Sequence, residues 1–327
     1  MRKWQRMFCT TILAHAGGGV WAASASADAY PSRPLRMILG FSPGGVDDFV
    51  ARNIAPKLSE RLGQSVIVDN RPGAGSNLGA EITAHSSPDG YTLMLGSIST
   101  LATSRSLYPK LGYDLLKDFS FISLAAIGAQ VLVANPSIPI RSVAELVALA
   151  RSKPNTIRYG SAGVASSSHL TSEMLRSRAG IEILHVPYKS GGVISVALMA
   201  GEVDISFAGV ASVMSLIKAK RVNALAIASA NRVSALPDLP TVAESGYPGF
   251  EATNVLGIIT PAGTPAAVSK RLNVEVRNVL RMDDVRAALA AQALEPAGST
   301  PEEFRARAQA DVALWARVIK DAKITLN

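Results

Sequence analysis

Beyond residue 30 the chain repeats one pattern: a short apolar run, a loop of glycine and hydroxyl residues, then an amphipathic helix. Residues 35–41 form the first apolar run, which ends at Ser42-Pro43-Gly44-Gly45. Val50, Ile54, Leu58 and Leu62 then recur four apart, with Pro56 as a bend and Gly63 as a stop. Residues 65–68, 91–95, 157–160, 183–186, 203–207 and 224–228 read as further strands, with helical segments between them. Ser142 and Glu145 make a capping box for one helix. Thr300-Pro301-Glu302-Glu303 opens the last, whose Phe304, Ala308, Val312, Trp315 and Ile319 share a face. Such alternation predicts an α/β chain with parallel sheets covered on both faces. Extended segments around residues 121–125 and 253–259 divide the units into two clusters and are expected to be crossings between two lobes. The first lobe is then discontinuous, residues 28–125 with 253–327, and residues 126–252 form the second.

The first residues follow a different logic. Arg2, Lys3 and Arg6 precede a stretch without charge that lasts until Asp28, and Ala25-Ser26-Ala27 offers a small-x-small site. This is the pattern of an export signal at residues 1–27, cleaved after Ala27. Cys9, the single cysteine, leaves with it, and so do three basic residues, taking the formal net charge from +8 to +5. The exported chain has no thiol for a disulfide, a nucleophile or a metal. Its charges are scattered, with no basic run and few aromatics beside them, so no nucleic-acid groove is indicated. Residues 120–140 also lack charge, but Gln130, Asn135, Pro136 and Pro139 interrupt them, which favours two buried strands over a membrane helix.

In open parallel sheets a ligand sits in the crevice beyond the carboxyl ends of the strands. The loops expected there are residues 42–48, 97–100, 161–168 and 188–192, and at least three lead straight into helices. Exposed backbone N–H groups and the positive end of a helix dipole favour a carboxylate without an arginine. Hydroxyls at Ser42, Ser97, Ser161 and Ser166 would add donors. The same residues are also what tight βα turns use, so both readings stand at this point. Catalytic patterns fit less well. Gly73-Ala74-Gly75-Ser76-Asn77-Leu78-Gly79 has one residue too many for a dinucleotide loop, and no Gly-Lys pair offers a phosphate loop. Tyr159 stands where a nucleophile elbow needs glycine. His85, His169 and His185 have no metal spacing, and no cofactor is expected. His169 beside Ser161 leaves a serine hydrolase as a lesser alternative.

Those loops also carry a resemblance. Ser42-Pro43-Gly44-Gly45-x-x-Asp48 resembles the first signature of the Bug family, the receptors of tripartite tricarboxylate transporters. The match continues in order through Val68-Asp69-Asn70-Arg71-Pro72-Gly73-Ala74-Gly75, Pro88-Asp89-Gly90-Tyr91-Thr92-Leu93 and Tyr159-Gly160-Ser161-Ala162-Gly163 with His169-Leu170. Val186-Pro187-Tyr188-Lys189, residues 236–246 and Pro261-Ala262-Gly263-Thr264-Pro265 complete it. Seven motifs in one order span nearly the whole exported chain. The resemblance implies a periplasmic binding-protein fold whose two α/β lobes, joined by two crossing strands, close on a ligand by hinge motion. It implies a monomeric, non-enzymatic receptor that takes a small carboxylate and delivers it to a two-subunit inner-membrane permease. A sensor presenting its closed form to a membrane histidine kinase would use the same cleft. Carried over by position, the ligand contacts fall on Ser42, Gly44, Gly45, Val46, Asp47 and Ser97 in the first lobe. In the second they fall on Ser161, Ala162, Gly163, Ser166, Ser167, Tyr188 and Ala208.

Departures from the family pattern bear on the ligand. Val46 narrows the first loop, and Asp47 puts a carboxylate where a neutral hydroxyl is usual, disfavouring a second negative charge if it faces inward. Asp47 could equally face solvent, and Asp48 reads as a helix-capping residue. Ala208 stands where relatives carry a polar or acidic side chain, and Ala165 where glycine is common. Trp315, on the last helix, is expected to lie far from the cleft.

Overall fold

The computed structural model describes residues 30–164, 166–188 and 191–325. The export signal, its cleavage point, Cys9, Ala165 and Lys189 lie outside them. The first run of elements is β1 (Leu35–Leu39), α1 (Val46–Leu62), β2 (Val66–Asn70), α2 (Asn77–Ala84), β3 (Thr92–Ser97) and α3 (Ile98–Leu107). Two consecutive strands follow, β4 (Phe119–Gly128) and β5 (Gln130–Ala134). The second run is α4 (Val143–Ser152), β6 (Arg158–Ser161), α5 (Ser167–Ala179), β7 (Leu184–Pro187), α6 (Gly191–Ala200), β8 (Ile205–Gly209), α7 (Val210–Lys218) and β9 (Asn223–Ile227). The chain then adds β10 (Asn254–Pro261), α8 (Ala266–Leu280), α9 (Asp283–Ala291), β11 (Leu294–Pro296) and α10 (Pro301–Asp321).

Local chemistry explains where the helices start and stop. Ser142 Oγ accepts the Glu145 N–H, while the Glu145 carboxylate takes the N–H of Arg141, so this box closes one residue early. At α10 the box is reciprocal: Thr300 accepts from Glu303 N–H, and Glu303 accepts from Thr300 N–H, with Pro301 where its missing N–H costs nothing. Helix α1 runs through Pro56 and ends at Gly63, whose φ of 71° is the left-handed turn glycine tolerates.

The strands form two sheets, one per lobe. The six-stranded sheet has the order β11-β4-β10-β3-β1-β2, and the five-stranded sheet the order β7-β6-β8-β5-β9. β4 leaves the first sheet and β5 enters the second after one residue, Ala129; the chain returns between Ile227 and Asn254. The uncharged stretch around residue 130 is therefore two buried strands, as its β-branched content predicts. Wholly parallel sheets are not what forms. β1 pairs with β2 and β3, and β6 with β7 and β8, in parallel, but β10 runs antiparallel to β3 and β4, and β5 to β8 and β9. The crossing itself imposes the change. One strand carries the chain out of a sheet and another brings it back, so these neighbours run in opposite directions.

Helix α10 closes the first lobe. Phe304, Ala308, Trp315 and Ile319 are buried along its inner face, and the Phe304 ring meets Phe121 edge-on at 4.9 Å. Beneath that ring β10 carries Gly257, where a Cβ would stand 2.1 Å from Phe304 Cζ. Glycine there lets the helix settle onto the sheet. Gly257→Ala should therefore lower stability by about 1–3 kcal/mol, because overpacking forces a rigid ring off its rotamer. Urea unfolding measures this, and a loss below about 0.5 kcal/mol would show that α10 shifts freely.

Candidate functional site

The crossing strands place a cleft between the lobes, and the starts of four described helices, α1, α3, α5 and α7, line it. Asp47 in the first turn of α1, Ser97 before α3, and Ser166 and Ser167 at the start of α5 line a space of about 410 Å³. Adjoining it is a space of about 540 Å³ lined by Gly44, Gly45, Val46, Ser167 and the first turn of α7. A third, of about 140 Å³, is lined by Ala162, Ser167 and Ala208, and Gln130 borders all three. The first-turn N–H groups of a helix have no intrahelical partner, so a wall of helix starts is a wall of donors at the positive ends of dipoles. Among the described residues, no lysine or arginine lines any of these spaces.

Hydrogen bonding at the crossings decides what the neutral side chains present. Ser97 Oγ accepts from the Thr100 N–H at 3.2 Å and from Thr100 Oγ1 at 2.9 Å, so its own proton goes to Asn254 Oδ1 at 2.6 Å. That bond orients the Asn254 amide and leaves its NH2 to donate into the cleft it lines. Gln130 Nε2 donates to Thr171 Oγ1 and to the Ala252 carbonyl, which leaves Oε1 as an acceptor. Behind the wall, Ser99 Oγ donates to Asp311 Oδ2, and Asp311 pairs with Arg307, which also holds Glu251. That cluster sets one guanidinium against two carboxylates and stands behind Ser99 and Thr253, which line the cleft.

Adjacent acids in α1 have opposite environments. Asp48 accepts from the Gly44 N–H at 3.0 Å and pairs with Arg52 at 2.9 Å; Asn70 donates to its other oxygen. Hydrogen bonding from Arg52 is the main reason its carboxyl is held down to about 2. It is a first-turn residue rather than the cap expected of it: the N-cap is Gly45, and Asp48 ties down the preceding loop through the Gly44 N–H. Asp47 is 5% exposed, lines the 410 Å³ space, and its Oδ2 has no partner among the described residues. Burial pushes its carboxyl up to about 7 against the opposing backbone N–H groups of Ser97 and Asp47 itself. It faces inward, and it is the one carboxyl group on the cleft's described lining.

Of the residues carried over by position, Gly44, Gly45, Val46, Asp47, Ser97, Ala162, Ser166, Ser167 and Ala208 line the cleft. Ser42, Ser161, Gly163 and Tyr188 line none of its spaces. Ser42 is exposed, Ser161 is fully buried, and Tyr188 packs against core residues with its hydroxyl 3.3 Å from Glu202. Ser161 Oγ bonds His185 Nε2 at 2.5 Å, so its histidine partner is not His169. His185 lies between Tyr159 and His169, with ring centroids at 4.9 and 4.1 Å, and burial pushes His169 down to about 4. Trp315 corrects another expectation: it lines the cleft although it sits on the last helix. Gln130 and Asn254 were legible only as polar interruptions of apolar segments, and Thr100 fell inside the 97–100 loop expected at the crevice without being named as a contact.

Comparison with known proteins gives one consistent result. A family profile described as the tripartite tricarboxylate transporter family receptor matches residues 50–324. Protein BugT of Bordetella pertussis is 37% identical over 307 residues, covering 94% of each chain. A solved R. palustris protein with adipate shares 34% identity at a TM-score of 0.79, covering 91% of this chain and all of its own. MatC of Rhodopseudomonas palustris, with bound malate, shares 29% at a TM-score of 0.75, covering 89% of this chain and all of its own.

Asp47 also makes stability depend on pH in a defined direction. Burial holds its folded value near 7, well above the usual carboxylate range, so its contribution is fully present below pH 4 and is lost as pH rises through about 7. The stability of Asp47→Asn minus that of the parent, both without ligand, should grow by on the order of 4 kcal/mol between pH 4 and pH 8. Contributions from His169 and His185 largely cancel in that difference. Equilibrium denaturation at the two pH values measures it, and a constant difference would place the Asp47 carboxyl in water.

Proposed function

The chain belongs to the family of tripartite tricarboxylate transporter receptors, and on that premise we propose that it captures a small carboxylate, an organic acid or an amino acid, and delivers it to a two-subunit inner-membrane permease. Receptors of this family are periplasmic solute-binding proteins that work with tripartite transporters. No described helix is long and apolar enough to cross a membrane. The export signal is removed after Ala27, and the receptor acts as a monomer that releases its ligand unchanged. Residues 28–125 with 253–327 move as one body and residues 126–252 as the other.

One observation carries this reading: the interlobe cleft gathers the starts of α1, α3 and α5 and the Asn254 amide around a space without basic side chains among the described residues. A carboxylate there replaces its hydration with several N–H and O–H donors from both lobes, so binding favours lobe closure. Holding an anion by dipoles rather than by a full cation lets it leave again, which a delivery protein requires.

Native mass spectrometry of the protein purified from its periplasm should show a carried-over carboxylic acid. The same spectrum should show a chain that begins at Asp28. Small-angle scattering with that compound at saturation should give a smaller radius of gyration than the stripped protein. An unchanged radius would sink the hinge closure, and turnover of the compound would sink the receptor reading. Trp315 supplies a fluorescence reporter for the titration, since Trp4 and Trp21 leave with the export signal.

A further inference from the structure

The cleft has an asymmetry that a receptor for carboxylates alone does not need. Its donors suit one anionic group, yet a carboxyl group of its own is built into the same wall. Three features set Asp47 apart from an ordinary acid in the first turn of a helix. The loop that leads into α1 is already tied down by Asp48, which takes the Gly44 N–H. Ion pairing is absent: Asp48 pairs with Arg52, whereas Asp47 Oδ2 has no partner among the described residues. Burial is nearly complete, with 5% of the residue exposed on the cleft lining. A buried carboxyl with an unpartnered oxygen, on a residue that lines a ligand cleft, is costly unless a ligand group completes it.

The open oxygen can be completed in two ways, by a cation or, if protonated, by an acceptor. The lining decides between them. The 410 Å³ space is rich in donors to anions at the starts of α3 and α5 and at Asn254. No lysine or arginine among the described residues offsets the Asp47 charge. An ionised carboxylate beside a bound carboxylate would repel it, whereas an ammonium at the same place would be attracted by as much. We infer that Asp47 is a cation subsite, and that the preferred ligands are zwitterions whose carboxylate lies on the helix starts and whose ammonium lies on Asp47. The inference rests on the receptor reading above and narrows its ligand class from carboxylates to amino-carboxylates.

Tyr108 is the other titratable group on this lining. Asp48 and Arg52 lie on Asp47's own helix, and the Glu251, Arg307 and Asp311 cluster stands behind Ser99 and Thr253. Asp48 is held by its arginine and stays ionised over the working range. The pH dependence of amine binding near neutrality is therefore assigned to Asp47.

The test uses matched probes that differ in one end group. Adipate and 5-aminopentanoate are a linear pair; terephthalate and 4-(aminomethyl)benzoate are a rigid pair. Each is titrated into the exported protein, freed of carried-over ligand, and into Asp47→Asn, by calorimetry with Trp315 fluorescence in parallel. In at least one pair the parent should bind the amine at least tenfold more tightly than the diacid at pH 8. Asp47→Asn should remove that preference by weakening the amine at least tenfold while leaving the diacid unchanged or tighter. Amine affinity of the parent should rise about tenfold from pH 6 to pH 8, following ionisation of a group near pH 7, and stay flat in the variant. Retention of the amine preference by Asp47→Asn overturns the inference. A parent that prefers diacids, and loses them on substitution, overturns it in favour of a protonated Asp47 that donates to the ligand. Absence of amine preference in both pairs, including absence of binding, overturns it as well. The carried-over compound separates this from the receptor reading: an acid without an amine in the native mass spectrum removes the cation subsite and leaves the receptor standing.

Discussion

Everything functional in this fold depends on two crossings being held side by side, and Gln130 holds them. Its carbonyl accepts the Ala228 N–H at 2.8 Å, the Ala228 carbonyl accepts the Ala252 N–H at 2.7 Å, and the Ala252 carbonyl accepts Gln130 Nε2 at 3.2 Å. Three segments far apart in sequence are closed into one ring at the point where the chain changes sheets. The ring is buried, so breaking it leaves carbonyl and amide groups without water to replace them. It also sits at the cleft, since Gln130 borders each of its spaces and donates onward to Thr171 of α5. A pivot with fixed hydrogen bonds and a cleft wall with fixed donors are thus one set of residues.

That arrangement explains how the cleft can be electrostatically spare. A cationic side chain would hold an anion more tightly, but it would need a stem long enough to cross from one lobe and a partner when the lobes part. Helix starts need neither. Their N–H groups are unsatisfied by construction and rigid with the lobe that carries them, so each lobe contributes donors without side-chain ordering. Against so neutral a background a single buried carboxyl dominates the field. At Asp47 the position costs little in geometry, because Asp48 next to it already holds the Gly44 N–H and pairs with Arg52.

Much of the fold was legible because it is local. The α10 capping box, the Ser142 cap and the Gly63 stop are contacts within a few residues, and they appear where the residue types place them. Strand direction is different. No local signal in residues 130–134 or 254–261 says that they run against their neighbours, since that follows from where the chain must go next. At the site, loop composition identified the right turns but not the right atoms. Ser161 and Ala162 are consecutive, and the side chain with the hydroxyl goes to His185 while the one without lines the cleft. Asp47 and Asp48 are likewise consecutive in a helix, about 100° apart around its axis, and composition cannot say which faces inward. Trp315 was legible as part of a buried face, but a helical face does not name the surface it covers.

Helix α10 adds a constraint on how the two lobes can move. It packs along α3 of the first lobe and also touches α5 of the second, and one apolar core runs through Phe304 and Trp315 to Tyr159, Leu170 and Met174. A hinge at the Gln130 ring alone would tear that core open. The contact that must yield is the one between α10 and α5, and the space beside it shows how. About 280 Å³ lies between Ala322 and Ile324, just past the end of α10, and the Tyr159, His169 and Glu173 side chains. The Tyr159, His185 and His169 rings stack on one another within the second lobe and meet Ala322 and Ile324 across this space, so sliding there breaks no ring stacking between the lobes, while Trp315 lines the cleft. Closure of the kind proposed would combine rotation about the polar Gln130 pivot with shear where α10 meets α5, and Trp315, on the cleft lining and in the core the two helices share, would report both.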